Sequence, residues 1–268
     1  MIIIGEKINA TIPRIKGLLM EHDGESLKML AKRQEEAGAG VIDVNVATGE
    51  GSARKETEDM QWLVGLLNEA VDAKLSIDSA DIKVLEAGLR AAGDRAGFVN
   101  SVKATDESIS EVFPLVAEFG VPVIALAMDE KGIPKDVPTR LRACEKIAKG
   151  AEQHGVQGKN IFFDPLVMPV STDVSQGVTT LETLREIKKQ FNGAGTVLAL
   201  SNVSFGLPGR STINRAMLHM AMFLAVDALL LDPLDAGLMD GVRAAEVVMG
   251  RDRHCRRYTR AIRQREAQ

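Results

Sequence analysis

Residues 75–100 read LSIDSADIKVLEAGLRAAGDRAGFVN and contain one complete repeat of the plan on which the chain is built. Leu75-Ser76-Ile77-Asp78 and Gly97-Phe98-Val99-Asn100 are short apolar runs that each end in an Asp or Asn. Between them, Asp81–Ala92 places Ile82, Leu85, Ala87 and Leu89 on or near one helical face, and Gly93 follows as a helix-closing residue. A strand, a helix and a second strand in so short a span form a crossover unit, the building block of a parallel sheet.

The same rhythm continues on both sides. Apolar runs at Ile2–Ile4, Val41–Val46, Val121–Ala127, Ile161–Asp164, Thr196–Ser201 and Asp227–Leu231 bring the predicted strands to eight. They are rich in Val, Ile and Leu without polar alternation, as in parallel strands buried on both faces. Helical patterns separate them at Glu25–Ala37, Glu56–Ala73, Glu107–Phe119, Val137–His154, Thr179–Phe191, Thr212–Leu224 and Gly237–Met249. Pro114 is expected to kink or restart its helix. Thr179 with Glu182 predicts a capping box that opens another.

Eight βα units in strict alternation predict an α/β fold, a (β/α)8 TIM barrel over residues 1–250, because closure removes both sheet edges. An open doubly wound sheet would carry G-x-G-x-x-G at its first junction, and Gly5-Glu6-Lys7-Ile8-Asn9 lacks it. No linker or composition break divides the chain, so a single domain is expected.

Bulk properties narrow the partners. A net charge of −4 gives no global pull toward nucleic acid or an anionic membrane. No segment reaches the roughly 18 apolar residues of a membrane span. Cys144 and Cys255 stand far apart, which argues for a reducing compartment. The opening Met1-Ile2-Ile3-Ile4-Gly5-Glu6 lacks a basic leader pattern, so a cytoplasmic location is expected. The last stretch, residues 251–268, differs: seven Arg stand against two acids. With Cys255, Tyr258 and Ile262 on one face, it predicts a basic C-terminal helix packed on the barrel or at a subunit interface.

In such a barrel the chemistry lies at the C-terminal ends of the strands. Those positions hold Glu6, Asp43 to Asn45, Asp78, Asn100, Asp129, Asp164, Asn202 and Asp232. No His or Lys ends a strand, and there is no H-E-x-x-H, C-x-x-C or phosphate-binding Gly-rich motif. A carboxylate accepts two parallel hydrogen bonds from an amidine-like edge. A carboxamide donates to a ring carbonyl while accepting from a ring N–H. Two Asp and two Asn around one mouth therefore suit a flat, amide-rich heterocycle such as a pterin. Two other uses stay open: the carboxylates could hold Mg²⁺, although the interleaved Asn lower the charge density and no metal is expected, or each could make a strand-to-helix turn.

Several segments, in order, resemble the methyltetrahydrofolate:corrinoid protein methyltransferases. They are Ile4-Gly5-Glu6-Lys7-Ile8-Asn9, Asp43-Val44-Asn45-Val46, Ser76-Ile77-Asp78-Ser79, Val99-Asn100-Ser101, Gly132-Ile133-Pro134-Lys135-Asp136, Phe163-Asp164-Pro165-Leu166 and Leu200-Ser201-Asn202-Val203-Ser204. The resemblance implies a barrel that binds tetrahydrofolate or 5-methyltetrahydrofolate as substrate. Asp78, Asn100 and Asp164 would hold the pterin ring. Asn202 would reach N5, with Ser201 beside it and Glu6 and Asn45 completing the site. It also implies a homodimer working with a separate corrinoid (cobalamin) protein, and the chain has no D-x-H-x-x-G corrinoid motif of its own. The expected catalytic residues are Asn202, acting on N5, and Asp78, relaying a proton through water.

Two alternatives accompany this reading. A dihydropteroate synthase-like enzyme would need a long Asn-Thr-Pro-Asp-Ser-type loop after the first strand, which Asn9-Ala10-Thr11-Ile12-Pro13 does not match. A non-catalytic pterin-binding subunit of a methyltransferase complex would have no need of a polar, destabilising rim.

Overall fold

The computed structural model describes residues 1–49 and 53–266. Eight parallel strands close into a barrel in sequence order. They are β1 (Ile2–Asn9), β2 (Val41–Asn45), β3 (Lys74–Asp78), β4 (Ala96–Lys103), β5 (Val123–Leu126), β6 (Ile161–Asp164), β7 (Gly195–Ala199) and β8 (Ala228–Leu231). The surrounding helices are α1 (Pro13–Met20), α2 (Gly24–Glu36), α3 (Ala53–Ala70), α4 (Ile82–Ala92), α5 (Asp106–Phe119), α6 (Val137–Gln153), α7 (Gln176–Gln190), α8 (Arg210–Phe223), α9 (Ala236–Val248) and α10 (Arg256–Glu266). The predicted (β/α)8 barrel is therefore the observed fold.

Strand parity positions everything that follows. Ile42, Val44, Leu75, Ile77, Val99, Val123, Phe163 and Leu198 point outward and pack under the helices. The opposite parity fills the barrel: Ile4, Val41, Phe98, Ile124, Val197 and Ala228 form a separate buried cluster, with Ile2, Leu126, Phe162 and Leu230 against it. Phe98 and Phe162 meet edge to face, with ring centroids 4.9 Å apart. Moving up each strand by two residues along the same parity, the interior turns polar. Ile4 leads to Glu6, Val41 to Asp43 and Asn45, Ser76 to Asp78, Phe98 to Asn100, and Phe162 to Asp164. An apolar plug below and a polar mouth above are one consequence of a period of two.

Five departures from the sequence expectations are informative. β1 runs to Asn9 rather than ending at Ile4, with a register shift between Gly5 and Ile8. A Cβ on Gly5 would lie 2.5 Å from Gln34 Oε1, so a larger residue there would displace the buried Gln34 side chain. Gln34 Oε1 then accepts the Lys7 N–H at 3.0 Å, which stabilises the irregular segment that carries Glu6. α1 was not foreseen, being one short helix with Pro13 in its first turn and Ile15 and Leu19 buried. α5 passes through Pro114 without a restart. α7 begins at Gln176, ahead of the predicted capping box, and the Thr179 hydroxyl instead donates back to the Ser175 carbonyl. Finally, Cys255 is exposed in a 3-10 turn before α10 and so takes no part in a helical face.

α10 is tied to the body by Asp252, whose carboxylate accepts the Arg257 and Tyr258 N–H groups, and by Arg257 to Glu246 of α9 at 3.2 Å. Among the described residues no helix is long and apolar enough to cross a membrane.

Candidate active site

The loops that follow the strands separate two uses of Asp. Asp81, Asp136 and Asp235 cap α4, α6 and α9 by accepting the N–H of Lys83, Thr139 and Leu238. With those caps supplied from the loops, Asp78 and Asn100, at or near the strand ends, remain free to face the mouth. The turn reading holds for Asn45, Asp129, Asp164 and Asp232, each of which accepts the N–H two residues on; Asp164 Oδ1 takes the Leu166 N–H at 2.7 Å while the carboxylate stays buried at the rim.

On the β2–β3–β4 side the rim side chains hold one another. Asn45 Nδ2 donates to Asp78 Oδ2 at 3.0 Å. Asn100 Nδ2 donates to Asp43 Oδ1 at 3.2 Å, and Ser76 Oγ donates to the same oxygen at 2.7 Å. Each amide is thereby fixed in one orientation, with its carbonyl oxygen on the other side. Asp43 is only 2% exposed and belongs to the floor of the mouth. The sequence places it among the strand-end positions but assigns it no role in the site. Its signal was its spacing of two from Asn45, which puts both on the interior parity.

These carboxylates are unusually willing to carry a proton. Burial pushes Asp43 well above the usual carboxylate range, and the Asp78 charge adds to this against the donations from Ser76 and Asn100. Burial also raises Asp78, offset in part by Asn45. Asp164 is pushed up to about 7 by burial, against the pull of the Leu166 N–H and the Arg140 charge. Such sites favour a ligand that brings N–H donors with partial positive charge.

Arg140 is a residue that sequence reading missed. It is fully buried on α6 and donates to the carbonyls of Pro134, Pro165 and Leu166 and to Gln176 Oε1, at 2.8 to 3.0 Å. This clamps the segment after β6, where Leu166 takes a positive φ of 66°. The clamp holds the Leu166 N–H on Asp164 while adding a nearby positive charge. The signal was present: Arg140 is in step with Cys144, Ile147 and Ala151 on the helix face that meets the barrel.

The β7–β8–β1 side is built differently. β7 stops at Ala199 and Leu200–Ser204 form a 3-10 turn, so Ser201 sits on that turn rather than on the predicted strand, and Asn202 follows it there. Arg210 fastens the turn through the Ser201 carbonyl at 2.8 Å and Ser204 Oγ at 3.0 Å. Ser201 Oγ donates to Glu6 Oε2 at 3.1 Å. Glu6 is pushed up to about 7 by burial, with Asp232 adding and Ser201, Lys7 and Arg210 opposing. Asn202 is exposed beside this pair. Lys7 stands near the mouth after all, because β1 runs past it, and it pairs with Asp232 at 3.1 Å.

Among the described residues no three His, Cys, Asp or Glu side chains gather as a metal site. The four histidines stand away from the rim residues. His22, for example, stacks on Trp62 and bonds Asp59.

The mouth of this parallel barrel, lined by Asp, Asn and Glu above an edge-to-face aromatic pair, presents acceptors and carboxamides whose chemistry matches a flat heterocycle rich in N–H groups. Residues 6–231 match the family of pterin binding enzymes, and the chain belongs to that family. It is 32% identical over 266 residues to a methylcorrinoid:tetrahydrofolate methyltransferase of Eubacterium limosum, covering 98% of this chain and 97% of that protein. It is 30% identical over 241 residues to the methionine synthase of Mycobacterium leprae, where it spans only 20% of the longer protein. In three dimensions it resembles the 7,8-dihydropteroate synthase of Vibrio fischeri ES114 (TM-score 0.71, 16% identity, 93% of both chains). It also resembles that of Yersinia pestis with a pterine-sulfa conjugate (TM-score 0.69, 16% identity, 93% of this chain and 94% of that one). At that identity the likeness concerns the fold alone.

Proposed function

We propose that this enzyme moves a methyl group between N5 of tetrahydrofolate and the cobalt of a corrinoid carried by a separate protein. The observation that carries this reading is the 32% identity, over nearly the full length of both chains, to a methylcorrinoid:tetrahydrofolate methyltransferase. The fold likeness to dihydropteroate synthases does not discriminate between chemistries.

In this reading Asp78, Asn100 and Asp164 hold the pterin ring, with Asn45 and Asp43 fixing the first two. The corrinoid supplies the metal centre that carries the methyl group. The work of this chain is to hold, orient and move a proton. Going onto tetrahydrofolate, N5 starts with one hydrogen and sheds it as the N–CH₃ bond forms. In the opposite direction N5 must gain a proton before it leaves, because an amide anion is a poor leaving group. Asn202 supplies hydrogen bonding to N5 in either protonation state, through Nδ2 to the lone pair or Oδ1 to the N–H. Glu6, with its carboxyl pushed up to about 7, stores the proton and exchanges it through Ser201 Oγ. Asp78, on the strand diametrically opposite β7, is better placed as a ring holder than as the relay.

Phe205, 64% exposed three residues beyond Asn202, offers apolar ground to an approaching corrinoid protein. Met220 and Phe223 on α8 are likewise uncovered, and we assign that face to a second copy of the chain in a homodimer. Residues 251–263, which include the start of α10, form an appended basic element outside the pterin mouth.

The test is to titrate the purified protein with 5-methyltetrahydrofolate, add cob(I)alamin and follow the cobalt absorption spectrum. The expected result is saturable binding and conversion of cob(I)alamin to methylcobalamin. Absence of any folate binding overturns the reading. Binding with no transfer to free or protein-bound corrinoid reduces the chain to a pterin-binding subunit.

A further inference from the structure

The mouth accounts for a pterin ring but not for the rest of a folate. Beside it, between α1 and α2, lies a cleft of about 350 Å³. Lys7 and Asp232, which pair at 3.1 Å across the β1–β8 seam, form its border with the mouth. Ile12, Ile15, Leu18 and Leu30 give it apolar walls, and Met29 lines it while remaining 63% exposed. Arg14 of α1 and Arg33 of α2 also line it. Both arginines are exposed, and neither side chain makes a hydrogen bond or ion pair with any described residue.

We propose that this cleft receives the aminobenzoyl-glutamate tail of the folate and that Arg14 and Arg33 select substrates carrying several glutamates. The inference rests on the methyl-transfer reading above and extends it to the substrate's other half. The ring holders stand on β3, β4 and β6, and Asn202 follows β7. N5 and C6 are adjacent ring atoms, and the tail is attached at C6. A pterin with N5 at Asn202 therefore sends its tail away from β3 and β4, over the β7–β8–β1 side, where this cleft begins. A benzoyl ring needs apolar walls, which Ile12, Ile15, Leu18 and Leu30 provide. Each γ-linked glutamate leaves an α-carboxylate, and two unpartnered guanidinium groups match two such carboxylates. The tail leaves sideways, so the space above N5 stays open to a methyl carrier.

The experiment compares dissociation constants of the whole protein for three ligands: 6-methyltetrahydropterin, monoglutamyl 5-methyltetrahydrofolate and its triglutamyl form. The expected order is weakest, intermediate and tightest, with the triglutamate gaining roughly fivefold to tenfold over the monoglutamate. Arg14→Ala with Arg33→Ala removes most of that gain. In the wild type, rising salt narrows the same gap, because the contacts are exposed and screened; this readout needs no variant to fold. Equal affinity for mono- and triglutamate, or a double variant that discriminates as the wild type does, overturns the inference while leaving the methyl-transfer reading intact. Failure to bind any of the three ligands overturns both.

Discussion

The two sides of the barrel mouth use similar residue types in different ways. On the β2–β3–β4–β6 side, Asp43, Asn45, Asp78, Asn100 and Asp164 stand within strands or at their ends, and all but Asp164 bond one another across the barrel interior. Asp164 is instead held by its own loop under the Arg140 clamp. On the β7–β8–β1 side, Glu6 sits by a register shift, and Ser201 and Asn202 sit on a 3-10 turn. A rigid, mutually bonded set suits a part of the ligand that never changes. A single exposed amide beside a carboxyl near neutrality suits an atom that changes its protonation state. In the proposed reading, the holding side chains all stand on strands, whereas two of the three on the reacting side stand on a turn beyond one.

The largest expected effect tests the holding side. Asp164→Asn or Asp78→Asn should weaken folate binding by about 100-fold or more, through loss of charge-assisted hydrogen bonds. The same change should raise the melting temperature, since an ionised carboxylate is no longer buried. Calorimetric titration and thermal melts read both, and unchanged affinity would break the assignment of this side to the ring.

Arg140→Gln comes next. It strands the carbonyls of Pro134, Pro165 and Leu166, and should cost about 2–4 kcal/mol of stability in urea unfolding. If stability is unaltered, the clamp under Asp164 is not a structural support.

Asn202→Ala tests the reacting side. The transfer rate should fall on the order of 100-fold, with the dissociation constant for folate nearly unchanged. A large loss of affinity with the rate retained would move Asn202 to the holding side.

The smallest effect is in pH. Glu6 and Asp164 hold protons more tightly when folded than when unfolded, because burial raises both to about 7. From about pH 4, where the unfolded carboxylates titrate, to about pH 7, the native chain binds more protons. Unfolding free energy should therefore fall as pH rises through that window, and the contribution is present in full only below it. If folate holds Asp164 ionised, as proposed, it should flatten the trend and should itself bind less well as pH drops below about 7. Glu6→Gln should remove the inflection near pH 7 from the transfer rate and leave that of folate binding.

Much of this was legible residue by residue. The eight strands and most helices follow from apolar periodicity, and Asp78, Asn100 and Asp164 follow from where those runs stop. The misread places share a cause. β1 looked as if it ended at Ile4 because Glu6 and Lys7 are charged, yet both find partners in residues far along the chain, Ser201 and Asp232. Arg140 gave no local signal of its role, because its acceptors are main-chain carbonyls and an amide from other segments. The start of α7 was misplaced because the Gln176 side chain is drawn onto Arg140, which a local capping rule does not register.

Strand parity and helix spacing are properties of neighbouring residues, so the linear chain alone specified an alternating βα protein with Asp and Asn at its strand ends. Which of those ends touch is not local. Asn100 reaches Asp43 and Ser201 reaches Glu6 only because eight strands close in order, and the second contact spans 195 residues. Burial sets the proton affinity of Glu6, Asp43 and Asp164, and burial exists only once the barrel has closed over them.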